Sequence, residues 1–135
     1  MKKLPTDLQI LNEIYERYYE TFCSHSQDQS RSVEVLVPID IRAIARTFSV
    51  DPHIIFGRLY YHLNRKYGYT DADGAKVSFF TIRTGKEIPY IQFPLLASVL
   101  ASLREEHGRD QWTRWLSIAA IAIALASFLI SVVKQ

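Results

Sequence analysis

The sequence predicts an α+β domain over residues 1–107, a juxtamembrane linker over 108–115 and a single transmembrane helix over 116–133. Three observations carry that prediction. The run Leu116–Val133 holds eighteen residues without a charge, a proline or a glycine. Upstream, several stretches repeat apolar residues every three to four positions, the period of an amphipathic helix. Between them lie short runs rich in β-branched and aromatic residues, bounded by proline and glycine, which read as strands. In order the elements are α-β-α-α-β-β-α, followed by the span.

The span comes first because it bounds the rest. At 1.5 Å rise per residue a helix of that length covers about 27 Å, close to the hydrocarbon thickness of a bilayer. Trp112 and Trp115 stand where aromatic rings meet headgroups, with Arg109 and Arg114 before the run and Lys134 after it. A small soluble domain seldom buries a helix on every face. Arg104, Arg109 and Arg114 on one flank outweigh Lys134 on the other, which predicts a single-pass protein of the plasma or inner membrane with its N-terminal domain in the cytoplasm. Only Lys134 and Gln135 follow, so the expected arrangement is a tail anchor. Ser117, Ala120, Ala124, Ser127 and Ser131 recur at alternating spacings of three and four and make a small-residue face. Ile118, Ile121, Leu125, Phe128 and Val132 make a bulky one. Small faces let helices approach closely in lipid, so a homodimer is a candidate assembly.

Charge is unevenly placed. Residues 1–40 carry four Lys/Arg against seven Asp/Glu, whereas residues 41–86 carry eight against three, a net of +5. The middle of the chain is therefore the candidate anion-facing surface. Cys23 is the only cysteine, which agrees with a reducing compartment and excludes an intrachain disulfide. His25 beside it has no second ligand pair at the spacing zinc needs. Four dispersed histidines (His25, His53, His62, His107) and no phosphate-cradling glycine loop give no catalytic constellation, so neither an enzyme nor a cofactor or metal is expected.

Along the chain, Thr6 and Gln9 have capping-box spacing before a helix over residues 7–23. Its inward set by spacing is Leu8, Leu11, Ile14, Tyr15, Tyr18, Tyr19 and Phe22. Ser24 to Ser32 is polar and aperiodic, a loop. Val33–Val37 reads as a strand stopped by Pro38. Asp40 caps a short helix with Ile41, Ile44, Ala45 and Phe48 inward, and Ser49-Val50 turns the chain. Asp51 then caps a second helix with Pro52 at its first position. On that helix Ile55, Phe56, Leu59, Tyr60, Leu63 and Tyr67 share one arc. Ile54, Arg58, Tyr61, His62 and Arg65 share the opposite one. Gly68 to Gly74 is a turn-rich exit. Val77–Arg83 and Ile88–Phe93 read as a hairpin with a basic tip at Thr84–Glu87, and Pro89 suits an edge strand. Pro94 opens a last amphipathic helix that reaches about His107, where Gly108 is expected to break it.

Short helix, tight turn, second helix and hairpin over Asp40–Phe93 resemble a winged helix-turn-helix domain, at the level of fold. Ala45 sits where that motif has a small residue at the helix contact. Ser49 stands where glycine is commonest, and Gly57 lies inside the second helix, both departures from the pattern. The resemblance implies that the second helix enters a DNA major groove with Arg58, Tyr61, His62 and Arg65 as base readers, arginine being suited to bidentate contact with guanine. It makes Lys66, Lys76, Arg83 and Lys86 backbone contacts, joined by Arg42 and Arg46. The implied function is a membrane-tethered regulator that binds double-stranded DNA. The alternative uses the same fold to dock a protein partner within a membrane-associated complex. Acidic or apolar residues covering the second helix favour the alternative; a continuous positive face favours DNA.

Overall fold

A computed structural model of the chain describes residues 3–25, 33–83, 85 and 87–134. It divides into two compact units, Met1–Ala101 and Ser102–Gln135. The first is a mixed α+β unit with small sheets, and the second carries the long apolar helix.

Helix α1 (Asp7–Cys23) begins as its capping residues dictate. The Thr6 hydroxyl accepts from the Gln9 N–H at 3.2 Å, and Gln9 Oε1 accepts from the Thr6 N–H at 2.9 Å. Its buried residues are Ile10, Leu11 and Ile14. Spacing alone placed Tyr19 inward and passed over Ile10; Tyr19 is in fact 46% exposed. The half-buried edge is fixed instead by Tyr15 and Phe22, whose rings stack on Phe93 at 5.5 and 4.7 Å. Tyr18 Oη accepts from the Asp40 N–H at 2.7 Å and ties α1 to the start of the next helix.

Helix α2 (Ile41–Phe48) opens on Asp40, whose carboxylate accepts from the N–H groups of Arg42 and Ala43 at 2.9 and 3.1 Å. It ends on Ser49 in the left-handed region, φ 53° and ψ 41°. Serine here takes the conformation that glycine takes more cheaply, which explains why glycine is commonest at such a turn. Helix α3 comprises an α-helical segment Pro52–Gly57, a π-helical segment Arg58–Leu63 and an α-helical segment Asn64–Tyr67. Asp51 caps it, accepting from the His53 N–H at 2.8 Å with Pro52 just inside. Ile55, Leu59 and Leu63 are buried, as the arc predicts, whereas Tyr60 of the same arc is 42% exposed.

Gly57 is where the helix widens into its π turn, yet its own backbone is helical at φ −60° and ψ −38°. A methyl group there meets only a Tyr61 ring carbon, at 3.9 Å. Gly57→Ala is therefore expected to stabilise the unit by about 0.5–1 kcal/mol, measured by chemical denaturation. A loss of stability would mean that the widened turn requires glycine.

Strands β1 (Leu36–Pro38), β4 (Phe80–Ile82) and β5 (Pro89–Gln92) form an antiparallel sheet in the order β1-β5-β4. A second small sheet pairs β2 (Tyr69–Thr70) with β3 (Lys76–Val77). Three expectations are corrected here. The first strand is shorter and later than Val33–Val37, and Pro38 lies within it, opposite Tyr90; an edge strand tolerates the missing N–H. Pro89 lies on the central strand, as its first residue, with its carbonyl accepting from the Ile39 N–H at 3.0 Å. Val77–Arg83 is two strands with a bend between. Phe79 and Phe80 are both buried, and neighbours on one strand point to opposite faces, so the chain has to bend for both to reach the core. Asn64 joins the pieces: its Oδ1 accepts from the Phe80 N–H at 3.0 Å.

Helix α4 spans Phe93–Val133. Its start is capped by Gln92, whose Oε1 accepts from the Leu95 N–H at 2.6 Å. Phe93, Leu96, Val99 and Leu100 complete the core of the first unit. Gly108 does not end the helix, and residues 108–115 are helical. One glycine costs about 1 kcal/mol against alanine, which the flanking good helix formers outweigh. Among the described residues, none of the most apolar window of α4 is buried. The hydroxyls of Ser117 and Ser127 donate back to the carbonyls of Thr113 and Ile123, at 3.0 and 2.9 Å. This helix is long and apolar enough to cross a membrane.

Candidate functional site

The outer face of α3 divides into two chemically different halves. Toward its middle, Arg58 and His62 are held by a single residue of α1. Asp7 accepts from Arg58 Nε at 2.7 Å through Oδ1, and its Oδ2 lies 3.2 Å from His62 Nε2. The Asp7 side chain is 19% exposed and that of Arg58 35%. Two of the four implied base readers thus share one carboxylate. A guanine contact by Arg58 has to break or share a charge-assisted bond that is already made.

The other two stand free of that clamp. Tyr61 is 71% exposed and Arg65 is exposed beside it on the last turns of α3. Lys66 is exposed, with Nζ 5.3 Å from the centroid of Tyr67. Arg65 and Lys76 line a small cleft of about 360 Å³ together with Tyr60 and Tyr69. Arg83 lies over the ring of Tyr90 at 5.6 Å. On α2, Arg42 and Arg46 are exposed one turn apart. Lys86, the tip of the hairpin, and Thr84 lie outside the described residues, as does most of the Ser24 to Ser32 loop.

At the other end of α3 is a larger cleft, about 670 Å³, between the starts of α2 and α3 and the base of the β4–β5 hairpin. Its walls include Phe56, Ile82 and Ile88, and its rim includes Asp40, Asp51 and Glu87. Asp51 is held below the usual carboxylate range first by the His53 backbone N–H and then by the His53 ring, whose Nδ1 lies 2.8 Å away. A carboxyl depressed in the folded state adds stability above its unfolded pKa and loses it as pH falls through the folded one. Asp51 is therefore charged, and its cap intact, throughout the neutral range.

None of these acidic residues stands out in the sequence. Asp40 and Asp51 are legible only as helix caps, and the separation of Asp7 from Arg58 by 51 positions leaves no local signal. No family model, no curated protein and no solved structure matches the chain.

Proposed function

We propose that the chain is a membrane-tethered interaction module whose N-terminal unit, of winged helix-turn-helix type, binds a protein partner through the start of α3 and the β4–β5 hairpin. The helix-turn-helix of α2 and α3 and a three-stranded sheet in the order β1-β5-β4 support the winged-helix reading. In this reading Leu116–Val133 serves as the anchor, and the excess of Arg104, Arg109 and Arg114 over Lys134 supports a cytoplasmic N-terminal unit. The observation that carries the protein-binding reading is Asp7. It neutralises Arg58 and occupies His62 on the face that DNA would have to enter, while Asp40, Asp51 and Glu87 gather beside the hairpin. Phosphate is repelled by such a rim, and a protein segment is not.

DNA binding is the second reading, favoured by the exposed Tyr61, Arg65, Lys66 and Lys76. The two separate by salt dependence. The full chain in lipid nanodiscs is titrated with pooled duplex DNA at several salt concentrations. If only Arg65, Lys66 and Lys76 engage phosphate, the protein-binding reading expects weak binding, no sequence preference and a slope of log K against log salt no steeper than about −3. Tight, sequence-selective binding that loses about 1–3 kcal/mol on Arg65→Ala would overturn it in favour of DNA.

A further inference from the structure

The cleft at the start of α3 has chemistry enough to name its occupant. Its floor is apolar and partly open to solvent: Ile82 is 38% and Ile88 36% exposed, beside Phe56 and Pro89. Its volume, about 670 Å³, falls within the roughly 300–1,000 Å³ of clefts that take a ligand. Three separate segments bring carboxylates to the rim: the cap of α2 (Asp40), the cap of α3 (Asp51) and the hairpin (Glu87). Among the described residues that line the cleft, Arg42 is the single permanent cation against these three carboxylates. The two helix N-termini beneath Asp40 and Asp51 each carry only about half a positive charge, so each cap carboxylate outweighs the dipole it caps. Each cap spends Oδ1 on backbone N–H groups, Asp40 on Arg42 and Ala43 and Asp51 on His53, and Oδ2 has no hydrogen bond among the described residues.

We infer that this cleft binds a protein segment that inserts a large apolar side chain and sets lysine or arginine against the carboxylate rim. Charge complementarity makes that choice. An acidic segment or a nucleic acid meets the same three carboxylates with like charge, which costs affinity and slows encounter. The stems of lysine and arginine also lie well along an apolar wall while their charged ends reach a rim. The inference deepens the protein-binding reading and rests on it.

The rim has a clean test, because asparagine caps a helix about as well as aspartate does. The variant Asp40→Asn, Asp51→Asn, Glu87→Gln removes three negative charges and keeps both caps. A second variant, Ile82→Ser with Ile88→Ser, alters the floor at two exposed positions and leaves the buried core intact. The probe is a phage library of random dodecapeptides, panned on the full chain in lipid nanodiscs. Enriched peptides are then synthesised and their affinities measured on all three proteins. The expected peptides combine leucine, isoleucine or phenylalanine with two or more lysines or arginines. They bind the parent chain about tenfold or more tightly than either variant, and the rim variant flattens their salt dependence. Enriched peptides that are acidic, or that bind the variants as well as the parent, overturn the cleft assignment and leave the protein-binding reading standing. If no peptide is enriched, this inference is overturned; tight, selective DNA binding in the salt titration then overturns that reading as well.

Discussion

Replacing Phe80 by alanine is expected to lower the stability of the N-terminal unit by about 3–5 kcal/mol. The side chain is 1% exposed and sits where three elements meet. The Phe56 ring meets it edge-on at 5.9 Å and the Tyr60 ring at 6.4 Å, and its backbone N–H is tied to Asn64. Its strand is only three residues long, so few neighbours can close on the space left behind. For a domain of about this size the change corresponds to a fall in Tm of roughly 12–40 °C. Near-UV circular dichroism of the full chain in detergent reports it, because all eight tyrosines lie in the first unit, while Trp112 and Trp115 in the second add a background common to the parent and the variant. Thr81→Ala, next along the same strand, is the matched control and is expected to cost far less. A loss below about 1 kcal/mol for Phe80→Ala would place the residue outside the core and would undo the packing of the hairpin on α3.

What the sequence reveals about this fold is local in origin. Thr6, Asp40 and Asp51 announce three helix starts because a cap acts on N–H groups two or three residues away. The buried face of α3 follows from spacing, since Ile55, Leu59 and Leu63 face inward whatever they pack on. Ser49 marks the turn even without glycine. What depends on distant partners is not legible. Phe79 and Phe80 reach the core only through a bend that periodicity does not show. Pro89 becomes central because β1 returns from 52 to 56 residues earlier to pair with its strand. The candidate site divides in the same way. Arg65, Tyr61, Lys66 and Lys76 are exposed as their positions imply. Arg58 and His62 are not free, because Asp7 reaches them across the fold. The acidic cleft is assembled from three segments that each look ordinary alone.

Two arginines at the middle of the apolar run, Ala124→Arg with Leu125→Arg, are expected to release the chain from membranes. The span Leu116–Val133 contains ten Leu, Ile, Phe or Val residues. At about −0.3 to −0.6 kcal/mol each near the helix centre, they favour insertion by roughly 3–6 kcal/mol. Each arginine at the centre costs about 2.5–3.5 kcal/mol, and Leu125→Arg also removes one favourable residue, so the double change cancels the whole gain. One arginine leaves the balance near even, since a long side chain near the centre still reaches water by thinning the bilayer locally. Helicity alone cannot substitute for apolarity here, because none of the run's most apolar window is buried among the described residues. Liposome flotation after alkaline carbonate extraction measures the outcome. The parent chain should float with lipid, the single Leu125→Arg variant should divide between the fractions, and the double variant should remain at the bottom. A parent chain extracted by carbonate would mean that the run is not an anchor. A double variant that still floats would mean that another part of the chain holds the membrane.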